Sequence, residues 1–506
     1  MKKINKFERN NMEKEKIKKL LSGTLTRDFF MYPDSLRFFG NLAVFIIKDS
    51  NSKYLGIIGP EKDVGESGFT APVRNEISNQ NLSGYIIRLF KRERENLETL
   101  LNIFPELHPA PLGTDTSFGF GDRLGSANAA HIRIVKKQKG ILPVLAQQSV
   151  RELSKTGKDF KAVVSDSIWN IMQEGYRGKW GADADHIKER QYFTEAAEAG
   201  MTMYTLDTSD YLDEKVLNMT GIEVRQNYNL ETDYIKTIKK QYLDKKIGIN
   251  GCKLDFNEEI LIKLALVYGN ALEFTREIFK FLSGRLEAFD YEVSFDETNT
   301  ITTPEAHYFI VNEMKRLEID FSSLALRFPG TFEKGIDYIG SIREFDRNIK
   351  IHGLICRKLG GYKLSLHSGS DKFSIYPAFA RHTEGIFHIK TSGTSWLEAI
   401  RLVASVNAEF FRELFSIVID TFEENKKAYH INLDKDALPT SIKDIADKDL
   451  PGILDNRDLR RVFHIAYGSI LEKKEEKLLK ILFENEPIYY DYLLKNFKKH
   501  FDALRY

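Results

Sequence analysis

The sequence predicts an α/β protein built on a (β/α)8 TIM-like barrel, with an N-terminal α+β cap and a C-terminal helical extension. Three observations lead there. From about residue 110 onward, eight strand-length runs alternate with helix-length segments, the count and rhythm that a parallel barrel needs. One run, Tyr362–Leu366, places Lys363 and Ser365 on one face, with His367 continuing it, and Leu364 and Leu366 on the other. A polar inner and an apolar outer face suit a barrel stave covered by helices. Finally, nearly every run ends in a charged, hydroxyl or imidazole side chain, on the rim where barrels carry their active sites.

Taken in order, Asn11–Leu21 is charged and helix-prone, and Leu42–Ile47 and Tyr54–Ile58 read as strands around the turn at Asp49–Ser52. Tyr85–Phe90 reads as a strand and Arg92–Phe104 as a helix. Pro105, Pro109 and Pro111 then mark a boundary, so residues 1–110 form the cap. Residues 111–435 supply the barrel, with strands expected at Ser117–Phe120, Ala162–Ser165, Met203–Leu206, Tyr291–Phe295, Ser323–Leu326, Tyr362–Leu366, Ile386–Ile389 and Ala428–Leu433. Trp396, Ile400, Val403, Val406, Phe410, Leu414 and Ile417 advance in steps of three and four, one buried helical face. Residues 211–250 read as a helical insertion, and 436–506, including Arg461–Leu471 and Pro487–Leu504, as the helical extension.

Lys plus Arg is 74 against 73 for Asp plus Glu, so no net field favours nucleic acid or anionic lipid. No window approaches the ~20 apolar residues of a membrane span, and the basic start Met1–Lys6 leads into more charge rather than an apolar signal core. The two cysteines, Cys252 and Cys356, form no CxxC pair and fit a reducing compartment. A cytoplasmic protein is expected, with no nucleic-acid or membrane partner; self-association into a homo-oligomer is left open.

The strand ends are Asp122-Arg123, Ser165-Asp166, Asp207, Asp296-Glu297, Arg327, His367, Lys390-Thr391 and His430. In the fourth run Glu292, Ser294 and Asp296 share the inward register, and inward acids must be paired, protonated or bound to a cation. Thr303 as N-cap and Pro304 at the first helical position put His307 in the first turns of the next helix. A carboxylate from the fourth strand with His307 and His367 would make a mixed O/N site suited to Zn, Mn, Co or Ni. Asp185 and Lys188, in Gly181–Lys188, read either as a surface turn or as an acid/base pair. Ser395 and Glu398 have capping-box spacing, and the helix they would start makes Ser392–Thr394 an anion cradle. Gly119–Gly125 misses the dinucleotide spacing by one residue, so no nicotinamide cofactor is expected.

Together, Phe118–Gly125, Gly181–Lys188, Asp296–Thr298 with Thr303–Phe309, Leu366–Pro377 and Arg461–Gly468 resemble the tagaturonate epimerase family, in order from about residue 115 to the C-terminus. The resemblance implies a metal-dependent enzyme interconverting D-tagaturonate and D-fructuronate, with a sugar acid as its partner and a divalent transition metal on Glu297, His307 and His367. Asp122, Arg123, Ser368, Asp371, Lys372, Ser392 and Thr394 are the expected substrate-binding residues. The carbon that inverts, C4, is β to the ketone, so its C–H is not acidified, and retro-aldol cleavage with re-addition is the expected route. Asp185 or Asp207 is the expected base, with Lys188 and Arg327 steadying anionic oxygens; Ser392–Thr394 or Lys372 is expected to hold the carboxylate. A metal-dependent sugar isomerase or aldolase, and a sugar-binding scaffold, are the alternatives.

Overall fold

The computed structural model describes residues 15, 17, 19–21, 29–74, 84–427, 429, 433 and 435–505. The chain forms two compact units, residues 1–108 with 165–178, and residues 109–164 with 179–506.

The first unit carries a six-stranded antiparallel sheet whose longest members are Leu42–Lys48, Lys53–Pro60 and Tyr85–Lys91. Of the expected helix Asn11–Leu21, residues 15, 17 and 19–21 are helical and the rest lie outside the described residues. Ile17 and Leu21 close a core against Ala43, Phe45, Ile47, Ile58, Ile87 and Leu89. Val44, Ile46, Leu55 and Ile57, which point to the opposite face, are buried as well, so the central strands are apolar on both faces.

The second unit is a closed barrel of eight parallel strands: β1 (Ser117–Phe120), β2 (Leu142–Ser149), β3 (Gly181–Ile187), β4 (Met203–Asp207), β5 (Asp290–Phe295), β6 (Ser323–Leu326), β7 (Lys363–Leu366) and β8 (Phe387–Thr391). The ring runs in chain order and closes where β8 pairs with β1. Every residue of β5 is buried, yet Glu292 and Ser294 alternate with Tyr291, Val293 and Phe295, so the strand is apolar only toward the helices. The expected (β/α)8 fold is present.

Two expected strands are corrected. Ala162–Ser165 lies inside the helix Phe160–Gln173, since Val163 and Val164 belong to a longer helical period rather than to a short apolar run. Of Ala428–Leu433, Ala428 and residues 430–432, His430 among them, lie outside the described residues. Tyr429 and Leu433 are not in a strand, and the barrel closes without this segment. The two strands that complete the ring are β2, which carries Pro143, and β3, made of Gly, Ala and Asp before His186 and Ile187; neither composition is strand-like.

The expected single helix from Trp396 to Ile417 is two helices, Thr394–Val406 and Ala408–Asp420, separated at Asn407, whose Oδ1 accepts the Phe410 N–H. The 211–250 insertion holds the helices Gly221–Asn227 and Asp233–Tyr242, followed by a hairpin of Lys246–Ile249 and Cys252–Asp255 that the sequence did not announce. Three helices, Arg457–Ile465, Tyr467–Glu484 and Glu486–Ala503, end the chain. They are tied to the barrel by Trp396 Nε1, which donates to Phe463 O at 2.8 Å, and by Tyr489 Oη, which donates to Ser395 O at 3.0 Å. Neither cysteine is in a disulfide, and among the described residues no helix is long and apolar enough to cross a membrane.

Several histidines are sealed in this packing. His131 stacks on Phe120 at 4.7 Å and bonds to Asn128 Oδ1 and Ser395 Oγ; burial pushes its pKa down to about 3. Burial likewise pushes His352 down to about 4. Because these folded-state values lie below the ordinary ~6.5, the stability they contribute is fully present above pH ~6.5 and is lost as pH falls toward 3–4. Urea-unfolding free energies should therefore drop between pH 7 and pH 4, and His131→Gln should flatten that slope.

Candidate active site

Three side chains converge at the carboxyl ends of the strands. His186 Nε2 or Nδ1, one Asp296 oxygen and one His367 nitrogen lie within 4.8 Å of one another. The imidazole rings of His186 and His367 are 4.7 Å apart. Simple alternation along β3 would send Asp185 and His186 to opposite faces. His186 instead takes a left-handed backbone, φ +51°, beside the register shift of β3 against β4, and so turns toward the same side as Asp185.

Beneath the triad sits Lys390 on β8. Its buried Nζ is 2.7 Å from Asp183 Oδ2, 2.7 Å from Asp185 Oδ1 and 2.9 Å from Glu292 Oε1, and also donates to Thr205 Oγ1. The carboxylates then reach the histidines: Asp185 Oδ1 meets His186 Nδ1 at 2.8 Å, and Glu292 Oε1 meets His367 Nε2 at 2.7 Å. One ammonium thus ties down both acids that orient both rings. Burial works against its charge, but Asp183, Asp185 and Glu292 hold it well above its ordinary pKa. Burial raises the Asp183 carboxyl to about 6, against the pull of Lys390. Burial also opposes charge on His186, yet Asp185, then Glu297 and Asp296, push it up to about 10.

These residues fit a divalent cation. Asp183, Asp185 and Glu292 crowd around Lys390, and Asp296 adds a fourth carboxylate beside the two imidazoles, a concentration of acids that suits a cation. His367 Nδ1 is buried 3.0 Å from Asp296 Oδ1, while its other nitrogen is fixed by Glu292. Two imidazoles and a carboxylate form the donor set of transition metals rather than of Mg alone.

Beside the triad opens a cavity of about 280 Å³. Of the residues singled out from the sequence, Arg123, Asp185, Lys188 and Asp207 line it, as do Glu297, Ser368 and Ser392. Lys188 Nζ bonds to Asp210 and Ser209 and lies 3.8 Å from Asp207 Oδ2. Glu297 stands at the mouth, half exposed, 3.8 Å from His186 Nε2.

Other expected site residues are placed elsewhere. His307 is fully buried with Nδ1 3.0 Å from His352 Nδ1 and Nε2 2.7 Å from the Tyr362 hydroxyl; with both nitrogens engaged it has no lone pair to share with His367. Lys372 gives its three donors to the carbonyls of Glu333, Ile336 and Ser370, which leaves none for a substrate. Asp371 pairs with Arg460 at 3.0 Å, and Asp122 accepts backbone N–H groups of Gly125, Ala127 and Asn128. Arg327 follows β6 but is not among the residues lining the cavity. Thr394 is buried at the start of its helix; Gly393, at φ +80°, precedes it, and any side chain there would collide with His464. The expected capping box is absent, because Ser395 Oγ pairs with His131 and Glu398 with Arg401 and Asn496.

A profile of the tagaturonate epimerase family matches residues 32–504. The chain belongs to that family. The tagaturonate/fructuronate epimerase of Thermotoga maritima is 42% identical to it over 482 residues, covering 94% of this chain and 97% of the other. The fructuronate-tagaturonate epimerase of Cohnella laeviribosi, crystallised in native form and with one glycerol, is 33% identical and superimposes with a TM-score of 0.89 in both. The match covers 97% of this chain for the native crystal, 98% for the glycerol complex, and 99% of the other chain in each. As a tagaturonate epimerase family member the chain is an isomerase of the carbohydrate epimerase class.

Sequence reasoning turned Glu292 and Asp296 inward and put Lys390 at a strand end, but it did not join His186, Asp183 and Lys390 to them. The signal was the Asp-Ala-Asp spacing of β3, which reads as a turn until the segment is recognised as a strand.

Proposed function

We propose that this enzyme interconverts D-tagaturonate and D-fructuronate by cleaving and re-forming the C3–C4 bond. The observation that carries the reading is the convergence of His186, Asp296 and His367 beside the pair Asp207 and Lys188, in a chain whose close relatives bear that activity in their names. His186, Asp296 and His367 would hold a divalent transition metal, which when bound supplies a Lewis acid for the ketone and its neighbouring hydroxyl.

The proton chemistry falls to Asp207. Its Oδ1 takes the Ser209 N–H at 2.9 Å, and Oδ2 faces Lys188 at the cavity wall. Burial opposes charge on Asp185, but Lys390 and His186 hold its carboxyl well below the ordinary range, which makes it a poor base and a good orienter of His186. Asp207 removes the C4 hydroxyl proton, and the C4 oxygen becomes an aldehyde. The C3–C4 pair passes to the ketone side and leaves a three-carbon enediolate. The aldehyde half turns about C4–C5, the enediolate carbon attacks its other face, and the proton returns from Asp207 to the C4 oxygen. No oxidant or reductant enters the balance, and the ammonium of Lys188 steadies the anionic oxygens.

The test is turnover of tagaturonate with and without a chelator, alongside elemental analysis of the purified protein. Fructuronate should form and chelation should stop it. An aldose product or free three-carbon fragments as main products would favour an isomerase or an aldolase instead. Asp207→Asn should lower kcat ~10²-fold or more with ion content unchanged; normal kcat would remove Asp207 from the proton path.

A further inference from the structure

The four lysine and arginine side chains that line the cavity differ in what already holds them. Arg123 is buried, bound to Glu152 at 2.8 Å and to His464 O at 3.1 Å, and stacked over the Tyr467 ring at 3.7 Å. Lys188 is engaged by Asp210, Ser209 and Asp207. Arg151 lies over the ring of Tyr429, at 5.5 Å. Lys334 lines the same cavity, half-buried, and meets no hydrogen-bond or ion-pair partner among the described residues.

The backbone around Lys334 is nevertheless held on both sides. Lys334 sits in the loop that follows β6, whose limbs pair at Thr331 and Ile339. Lys372 grips Glu333 O at 2.9 Å and Ile336 O at 2.5 Å, Arg460 Nε grips Gly335 O at 2.8 Å, and Arg461 binds the Glu333 carboxylate at 2.5 Å. Three cations that touch no substrate thus fix the residues before and after Lys334, while its own ammonium is left for the cavity. Its charge is also felt at the edge where the helix Thr394–Val406 begins. It helps hold down the pKa of His464, mainly lowered by burial, and His464 Nε2 is 3.2 Å from Ser392 O.

We propose that Lys334 is the specificity-determining residue that reads the carboxylate of the sugar acid, together with the helix entry at Ser392. The inference rests on the uronate reading above and deepens it. In the C3–C4 cleavage the carboxylate stays on the aldehyde half, C4 to C6, while the enediolate half carries C1 to C3. An ammonium paired with the C6 carboxylate holds one end of the aldehyde fragment and leaves C4 free to turn about C4–C5. Lys334 therefore selects acids over neutral ketoses and also retains the fragment until the bond re-forms. A loop backbone held in advance lowers the ordering cost of binding, which is what the three cations behind the loop supply.

Lys334→Met and Lys334→Arg are compared with the unaltered holoenzyme on tagaturonate and on its neutral analogue, the 2-ketohexose with a C6 hydroxymethyl. Loss of one charge-assisted contact should raise KM for tagaturonate ~10–100-fold. The neutral ketose should be affected less than ~3-fold, so that the preference for the acid collapses, and Lys334→Arg should restore much of it. The three-carbon ketone released from the enediolate half should appear in solution with Lys334→Met. Unchanged kcat/KM on tagaturonate, or an equal loss on both sugars, overturns the assignment of Lys334. Failure of the unaltered enzyme to convert tagaturonate overturns the uronate reading itself, whatever the variants do.

Discussion

Replacing His367 with alanine should abolish turnover and remove the divalent ion that the triad is proposed to hold. Its Nε2 is fixed by Glu292 at 2.7 Å, which leaves Nδ1 as the atom turned toward Asp296 and His186. Loss of an outer partner of a ligand typically costs ~10–100-fold in affinity or activity, and loss of the ligand itself should exceed that. Kcat/KM and bound metal measured on the same preparation decide the matter. His307→Ala is the matched control: it should lower thermal stability, since it empties a buried histidine pair, but leave metal content intact. Full activity and full metal in the His367 variant would dismiss the triad.

Lys390→Met should have the second largest effect, and its direction discriminates between two roles. Removing one partner from a buried ionic cluster commonly costs ~3–5 kcal/mol, so a marked fall in Tm is expected. Charge alone would predict tighter cation binding, since a positive neighbour has gone. Orientation predicts the reverse: with Asp185 and Glu292 no longer anchored, His186 and His367 lose their fixed rings. We expect Mn²⁺ affinity, read by calorimetry, to weaken ~10–100-fold. The double variant Asp183→Asn with Lys390→Met removes an acid along with the ammonium and keeps the comparison open if the single variant folds poorly. Tighter Mn²⁺ binding in either would show Lys390 to be a counter-charge only.

The barrel was legible because its β5 to β8 strands are short, apolar on one face and followed by amphipathic helices, so local pattern and tertiary role agree. β2 and β3 were illegible for the converse reason. Pro143 sits in a strand whose ring neighbours tolerate it, and Gly181–Asp185 has no large apolar residue to betray a buried stave. His367 was placed correctly on its register, because a strand fixes which way its side chains point. The second imidazole was not: a helix start such as Thr303-Pro304 shows where a helix begins, yet His307 faces the packed side toward His352 and Tyr362, an azimuth that pattern alone does not fix. Lys372 shows a further limit. Its motif advertises a cation, while only the fold reveals that three carbonyls receive it.

His186 and Ser368 both hold left-handed backbones, at φ +51° and +50°, and both line the candidate cavity. For a residue with a side chain that geometry costs on the order of 1 kcal/mol. Selection for heat tolerance would find easy gains by placing glycine at these positions, and each gain would erode the machinery. Durable, active descendants of this enzyme must take their added rigidity from distant helices, leaving the tension at the rim in place.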